Sequence, residues 1–268
     1  MFFVRKMSLV KTAEEIELLR ENNQLVSRTL AELAKYIVPG VTGLLLDKLA
    51  DTFIRDNGAT PAFLGYNGFP NTLCISVNDA VIHGIPNGNE LREGDIVSID
   101  CGTCLKGYIG DSAYTFAVGE ISEEAKKLMH ATKESLKRGV AQAVEGNRIG
   151  DISYAVQNYV EGLGYSVVRD MEGHGIGTKM HERPGIPNYG KRGDGKKLIR
   201  GMTICVEPMI NLGKREVEED SDKWTIRTKD RKLSAHYEYA VAVGKHKPDI
   251  LTTFDYVEEV LKQKGSFF

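Results

Sequence analysis

The stretch IDCGTCLKGYIGDS, residues 99–112, lies between two β-prone runs, DIVS at 95–98 and AYTFAVG at 113–119. Together they read as one hairpin with Val/Ile/Tyr/Phe-rich arms, turned at Leu105 to Gly107. With Leu105 opposite Lys106, the ladder counts back to Asp100 opposite Asp111. Direct cross-strand partners have Cβ atoms roughly 4.5–5.5 Å apart, and like charges there destabilise the sheet. That register requires a positive charge between the two carboxylates. A shifted register that sends each carboxylate into solvent accounts for the spacing equally well. Alternation adds a further observation: Val97, Ile99 and Cys101 share one face, while Ser98, Asp100 and Gly102 share the other. Asp100 therefore rises from a face of small residues, with room for a metal.

The same stretch holds a CxxC, Cys101 to Cys104. A structural zinc site needs four thiolate or imidazole ligands, as two paired spacings, and the other cysteines, Cys74 and Cys205, are distant and unpaired. A redox pair belongs at a helix N-terminus, whereas this one is inside a hairpin arm. The cysteines read as incidental. Other motif look-alikes fail too. GxxxxGK from Gly190 to Lys196 is followed by Lys197 instead of Ser or Thr. The GHGIG of Gly173 to Gly177 leads into Pro184, which no dinucleotide-binding helix could pass. His181-Glu182 starts an HExxH that ends in Gly185.

Outward from the hairpin, TAEEIELLRENNQLVSRTLAELAKYI (12–37) carries a capping box, Thr12 with Glu15, ahead of apolar residues at helical spacing. A second helix fits LLLDKLADTFIRDNG (44–58), closed by Gly58, and two more fit 122–145 and 151–163 with Ser122 and Asp151 as N-caps. NTLCISVN (71–78), YSVVRD (165–170), GMTICVEPMI (201–210), KWTIRTK (223–229) and HYEYAVAVG (236–244) read as strands. Both halves run helices and then strands, which suggests an α+β domain with helices packed on antiparallel sheet, in two related halves.

Composition excludes several classes. With 268 residues and 41% hydrophobic content the chain can bury a large core without staples. A net charge of -2 argues against a dedicated nucleic-acid binder. Four cysteines fit a reducing compartment. MFFVRKMSLV (1–10) is too short in its apolar run for a signal peptide, and no window is apolar enough to span a membrane. The expectation is a cytoplasmic protein.

Three more acid-base residues occupy unusual places. Glu207 lies in MTICVEPMI and Glu238 in AHYEYAVAV, apolar strands where an isolated carboxylate costs several kcal/mol unless paired or bound to a cation. His174 is flanked by glycines that let other groups approach its backbone. A buried salt bridge would explain either glutamate alone, and a satisfied core histidine would explain His174. Taken together with Asp100 and Asp111, they carry four negative charges, which two divalent cations cancel. Oxygen-rich ligands with one imidazole suit Mn, Fe or Co, with Zn also admissible. A two-metal site of this kind serves hydrolysis.

At this point the chain resembles the type I methionine aminopeptidases, metallopeptidases of the pita-bread fold, from about Lys11 to Leu261. The motifs are HGIP (83–86), DIVSID (95–100), GDSA (110–113), GHGIG, MHERP (180–184), EPM (207–209) and TKDRKLSAHYEYAV (228–241). The resemblance implies an α+β fold of pseudo-two-fold halves, with helices on one side of antiparallel sheet. It implies a tail at 1–10 and one catalytic domain at 11–268, with initiation at Met7. Asp100 would bind one metal, Asp111 and Glu238 would bridge two, and His174 and Glu207 would complete the second. The cations would be two of Co2+, Mn2+, Fe2+ or Zn2+. Glu207 would also shuttle a proton to the leaving amine, while His83 and His181 would hydrogen-bond the scissile peptide and its developing oxyanion.

The methionine pocket would be lined by Phe63, Tyr66, Phe69, Cys74, Met180 and the single tryptophan, Trp224. A monovalent cation near Asn78, Ala80 and Ser234 is a further family feature. The implied activity is removal of the initiator methionine before a small second residue, by a cytoplasmic monomer. Its partners would be nascent polypeptide N-termini, with ribosome association as a further expectation and neither nucleic acid nor membrane required. An Xaa-Pro peptidase and a non-catalytic binding protein of the same fold are the alternatives. Two features depart from the pattern: Tyr239 stands where relatives often carry His, and the acidic run REVEEDSD (215–222) precedes Trp224.

Overall fold

The computed structural model describes residues 9–265. Met7, and residues 1–8 of the expected tail, lie outside them. The hairpin is present, with strands Ile96–Leu105 and Tyr108–Ala117 paired antiparallel throughout. Its register corrects the expected one. Lys106 (φ 53°) and Gly107 (φ 79°) both take the left-handed conformation of a two-residue primed turn. Leu105 therefore pairs with Tyr108, Gly102 with Asp111, and Asp100 with Ala113. Residues joined by one peptide bond cannot oppose each other, so the ladder moves by two positions. Side chains alternate with period two, so a shift of two leaves Asp100 and Asp111 on one face where a shift of one would have separated them.

Helix α1, Ala13–Ala34, lies across this hairpin. Its start is the expected capping box: Thr12 N–H donates to Glu15 at 2.8 Å and Glu15 N–H to Thr12 Oγ1 at 3.2 Å. The buried face carries Leu19, Leu25, Val26, Leu30 and Leu33, but also Asn22 and Asn23. Asn22 Nδ2 donates to the carbonyls of Thr103 (3.0 Å) and Tyr108 (2.7 Å), and Asn23 Oδ1 accepts from Asp111 N–H (3.0 Å). These amides satisfy backbone groups that would otherwise be buried without partners. Gly110 permits the approach, since a Cβ there would lie 2.9 Å from the Asn22 carbonyl carbon.

Helix α2, Gly43–Asp56, is capped by Thr42 and followed by Gly58 in the left-handed region. Helix α3, Glu123–Val140, begins at Ser122 as expected and ends five residues before the expected 145. Helix α4, Ile149–Gly162, starts earlier than expected. Its N-cap is Arg148, and Asp151 serves from the third helical position, accepting Arg148 N–H at 2.8 Å. Helix α5, Asp255–Gln263, packs on α1.

Two expected strands of the second half are each broken. GMTICVEPMI forms Thr203–Val206 and Met209–Asn211, while HYEYAVAVG contributes to Ser234–His236 and Tyr239–Ala242. Thr203–Val206 pairs with Tyr239–Ala242 in a five-stranded sheet; Met209–Asn211 pairs with Ser234–His236 in a three-stranded one. The two chains thus change sheets together. Pro208, which lacks an N–H, interrupts the first ladder, and Glu207 and Glu238 sit at the crossing point. One buried apolar cluster joins α1 and α2 to the strands of both halves, from Leu25 and Leu46 through Ile99 and Phe116 to Ile204 and Val241.

Candidate metal centre and substrate cavity

The sheet crossing and the hairpin bring four acids to one point. Glu238 N–H donates to Ala113 carbonyl at 3.0 Å and Ser112 Oγ to Glu238 carbonyl at 2.8 Å, which fixes Glu238 beside the arm that carries Asp111. Asn188 Nδ2 holds the Glu207 carbonyl at 3.0 Å. His174 lies in the short strand Gly173–Gly175, paired to Glu182–Ile186 and, through Gly175, to Thr203–Val206. A Cβ at Gly173 would stand 2.3 Å from the Cys205 carbonyl oxygen, so glycine is what allows that strand so close.

His174 Nε2 lies 3.7 Å from Asp111 Oδ2 and 3.6 Å from Glu207 Oε1. Its Nδ1 is 3.0 Å from the Gly175 carbonyl oxygen, which can only accept, so Nδ1 carries the hydrogen. Burial holds the ring neutral by pushing its pKa down to about 4, with His181 adding to the shift. Nε2 is then left with a lone pair facing carboxylates, the form in which imidazole binds a metal.

The acids themselves are in the state such a cation would relieve. Burial pushes Asp100 up to about 7; it raises Asp111, Glu207 and Glu238 well above the usual carboxylate range, and the charge of neighbouring carboxylates raises these three further. Asp100 and Asp111 rise from the same face of the hairpin, close enough for each to influence the other's protonation. Asp100 Oδ1, Asp111 Oδ1 and Glu238 Oε1 are buried without a hydrogen-bond partner. Ligand atoms of Asp111, His174, Cys205 and Glu238 lie within 4.8 Å of one another. Orphaned carboxyl oxygens beside an imidazole lone pair fit a divalent cation, which would offset the charge that burial now suppresses.

These acids form one end of a cavity of about 340 Å³, and all the residues singled out from the sequence as ligands, substrate contacts or pocket walls line it. Phe63, Tyr66 and Phe69 come from the loop before Leu73–Val77, and Cys74 from that strand's second position. Trp224 stands edge-on to Phe69 with ring centroids 5.1 Å apart. Gly102 makes room for Phe63 and Met180, whose atoms would lie 2.5 and 3.0 Å from a Cβ. His83 has a left-handed backbone, φ 59°, a conformation costing a non-glycine residue of order 1–3 kcal/mol. His181 makes an edge contact with the His174 ring at 4.5 Å. Burial lowers the pKa of both histidines, that of His83 to about 4.

The sequence profile of metallopeptidase family M24 matches residues 17–245. The chain belongs to this family. Among M24 relatives it is 52% identical over 247 residues to the methionine aminopeptidase of Clostridium acetobutylicum, covering 92% of this chain and 99% of that protein. To methionine aminopeptidase 1 of Bacillus subtilis it is 46% identical over 246 residues, covering 92% and 99%. The crystal structure of methionine aminopeptidase from Rickettsia prowazekii superposes with a TM-score of 0.90 at 40% identity, covering 91% of this chain and 99% of that one. The Xaa-Pro dipeptidase from Bacillus anthracis also superposes, with a TM-score of 0.75 at 25% identity, but the match spans only 62% of its chain. The pita-bread fold and the M24 membership agree with the expectation drawn from the motifs.

Other residues of the cavity carry no local mark in the sequence. Asn67, Ile82, Asp170, Met171 and Glu172 also line the cavity. His236, buried with Nε2 3.9 Å from Glu207 Oε2, backs the acid cluster, and Cys205 Sγ lies within 4.8 Å of ligand atoms of Asp111, His174 and Glu238. Position 205 was legible as sharing the face of Glu207 two residues on; nothing local marked Glu172 or His236. Of the departures from pattern, Tyr239 points away from the site and stacks on Phe254 at 4.2 Å. The acidic run forms one arm of a hairpin, Val217–Glu219 with Ile226–Thr228. In it Asp220 pairs with Arg227 at 2.6 Å, and Asp222 accepts the backbone N–H of Trp224 at 2.9 Å. The acids there hold Trp224 in place. Ser234 N–H donates to the Asn78 carbonyl at 2.9 Å, so two of the three residues expected near a monovalent cation are adjacent. No helix among the described residues is long and apolar enough to cross a membrane.

Proposed function

We infer that the chain is a methionine aminopeptidase, releasing the N-terminal methionine of nascent polypeptides when the second residue is small. The observation that carries this reading is one cavity with two unlike ends. One end holds four buried carboxylates and an imidazole; the other is walled by Phe63, Phe69, Met180, Cys74 and Trp224. A flexible thioether chain suits polarizable aromatic and sulfur walls. A free N-terminal amine suits the acid end.

Asp100, Asp111, His174, Glu207 and Glu238 would hold two divalent cations, drawn from Mn, Fe, Co and Zn, whose charge offsets four carboxylates. Bound there, the cations would supply Lewis acidity that activates water and polarises the scissile carbonyl. Glu207 would pass a proton from the attacking water to the leaving amine. His83 and His181, neutral in this environment, would donate hydrogen bonds to the peptide and to its developing oxyanion. Residues 11–268 would form the single catalytic domain, acting as a cytoplasmic monomer on chains emerging from the ribosome.

The test is methionine release from a Met-Gly peptide and an Xaa-Pro peptide, followed chromatographically after loading with each of the four metals. Release from Met-Gly alone is expected. Preferential cleavage of Xaa-Pro would transfer the chain to the prolidase-like activity, and inertness with every metal would favour a binding role.

A further inference from the structure

Tyr66 was expected only as pocket wall, yet its hydroxyl lies 2.8 Å from His181 Nδ1, with the two rings edge-on at 5.3 Å. The two residues come from opposite walls, each independently fastened. Tyr66 sits in a tight turn where Gly65, Asn67 and Gly68 all have positive φ, closed by Gly65 N–H on the Phe69 carbonyl at 2.8 Å. The outer end of that loop is clamped by the Asp47 carboxylate, which accepts from Asn71 Nδ2 (3.0 Å), Thr72 N–H (3.0 Å) and Leu73 N–H (2.9 Å). On the other wall, Glu182 accepts Thr178 N–H at 3.0 Å and pairs with buried Lys11 at 2.7 Å, which fixes the turn that presents His181. One hydrogen bond therefore joins two rigid loops across the cavity.

A neutral imidazole carries its hydrogen on one nitrogen, and the partner of the other decides which. With Nδ1 engaged by Tyr66, Nε2 is the nitrogen left to meet a substrate. A phenol O–H is a much stronger acid than a neutral imidazole N–H, so within the pair the phenol donates to Nδ1 and the ring keeps its hydrogen on Nε2. A phenol is also a good donor to an imidazole nitrogen. We propose that Tyr66 is a positioning residue whose O–H donates to His181 Nδ1, holding the ring in the Nε2–H form that can donate to the substrate carbonyl. This rests on the peptidase reading for its consequence, though the tautomer itself does not. Because Phe63 and Phe69 belong to the same loop, a side chain seated against them also steadies the tie to His181.

The experiment uses the zinc-loaded full chain with 15N-labelled histidine. Long-range 1H–15N correlation reads the His181 tautomer, and His181→Gln assigns the signals. Expected are a protonated Nε2 and a bare Nδ1 in the parent protein, and mixed tautomers in Tyr66→Phe. For a Met-Gly peptide, kcat of Tyr66→Phe should fall roughly five- to tenfold, the worth of one hydrogen bond, with KM changed less than about twofold. An Nδ1–H form in the parent protein overturns the proposal, as does Tyr66→Phe with an unchanged tautomer or unchanged kcat. A parent protein that releases no methionine would strike the peptidase reading and leave the spectra to decide the tautomer.

Discussion

Asp111 stands opposite Gly102, two positions from Asp100 on the neighbouring strand, so the two carboxyl groups rise from one face, both buried and both pushed above the usual carboxylate range. Carboxyl groups raised by burial in this way hold protons near neutral pH, and a cation bound between them would displace those protons. Metal binding to the cluster should therefore release protons. Calorimetric titration at pH 7 in buffers of different ionisation enthalpy should show about one proton or more released per chain. Asp100→Asn should reduce that release and weaken metal binding. Equal heats in all buffers would show that these acids hold no proton for a metal to displace.

The raised carboxyl groups also set how stability depends on pH when metal is withheld. Asp100 titrates at about 7 when folded against 3.8 ordinarily, so between those values the folded chain holds more protons than the unfolded one. Its stabilising contribution is complete below 3.8 and is lost as pH rises through about 7. Asp111, Glu207 and Glu238 act in the same direction, extending the loss upward. The buried histidines His83, His174 and His236 work oppositely, but only below their ordinary value of 6.5. Above 6.5 the acids act alone. With chelator present, the thermal midpoint should fall from about pH 6.5 to 8, and saturating divalent metal should flatten the slope. A midpoint that rises over this interval in chelator would show that these acids are not protonated in the fold.

Helix starts were readable because caps are local: Thr12 with Glu15, and Ser122, lie within four residues of the groups they satisfy. Asp151 was read correctly as a helix-start residue and misplaced by three positions, since the same carboxylate can serve from the cap or from the third helical residue. The hairpin was legible and its register was not. Asp100 and Asp111 still rise from one face because the shift is even. Ligand residues were conspicuous as acids in apolar strands, and the strand breaks at Glu207-Pro208 and Tyr237-Glu238 follow from pairing with distant chains, which no local pattern records. For the same reason nothing in the sequence singles out the buried Asn22 and Asn23, although they fasten the hairpin that carries Asp100 and Asp111.

Gly102 offers a test of the pocket that leaves the acids untouched. A methyl group there would lie 2.5 Å from Phe63 Cε1 and 3.0 Å from Met180 Cε, so both side chains must move into the cavity. Gly102→Ala should cost about 1–3 kcal/mol of stability through overpacking. KM for a Met-Gly peptide should rise roughly tenfold or more, the effect of losing room for about a methylene or two, while metal affinity stays near that of the parent protein. Unchanged KM would place the methionine side chain elsewhere.

Glu207 carries the heaviest part of the proposed chemistry and is fixed without using its carboxylate. Its backbone is set by Pro208, by Asn188 and by the crossing of two strand pairs, so Glu207→Gln should preserve the fold. The amide keeps one oxygen for a metal but cannot accept and return a proton. If Glu207 is both ligand and proton carrier, two readouts should separate. Metal affinity should weaken, because a neutral oxygen replaces an anionic one, and excess metal should restore occupancy. At full occupancy kcat should remain lower by about 10²- to 10⁴-fold, the usual worth of a positioned acid-base group, with KM little changed. Recovery of kcat on adding metal would reduce Glu207 to a ligand and move the proton transfer to another group, such as Glu172, which lines the same cavity, or His236, whose Nε2 lies 3.9 Å from Glu207 Oε2.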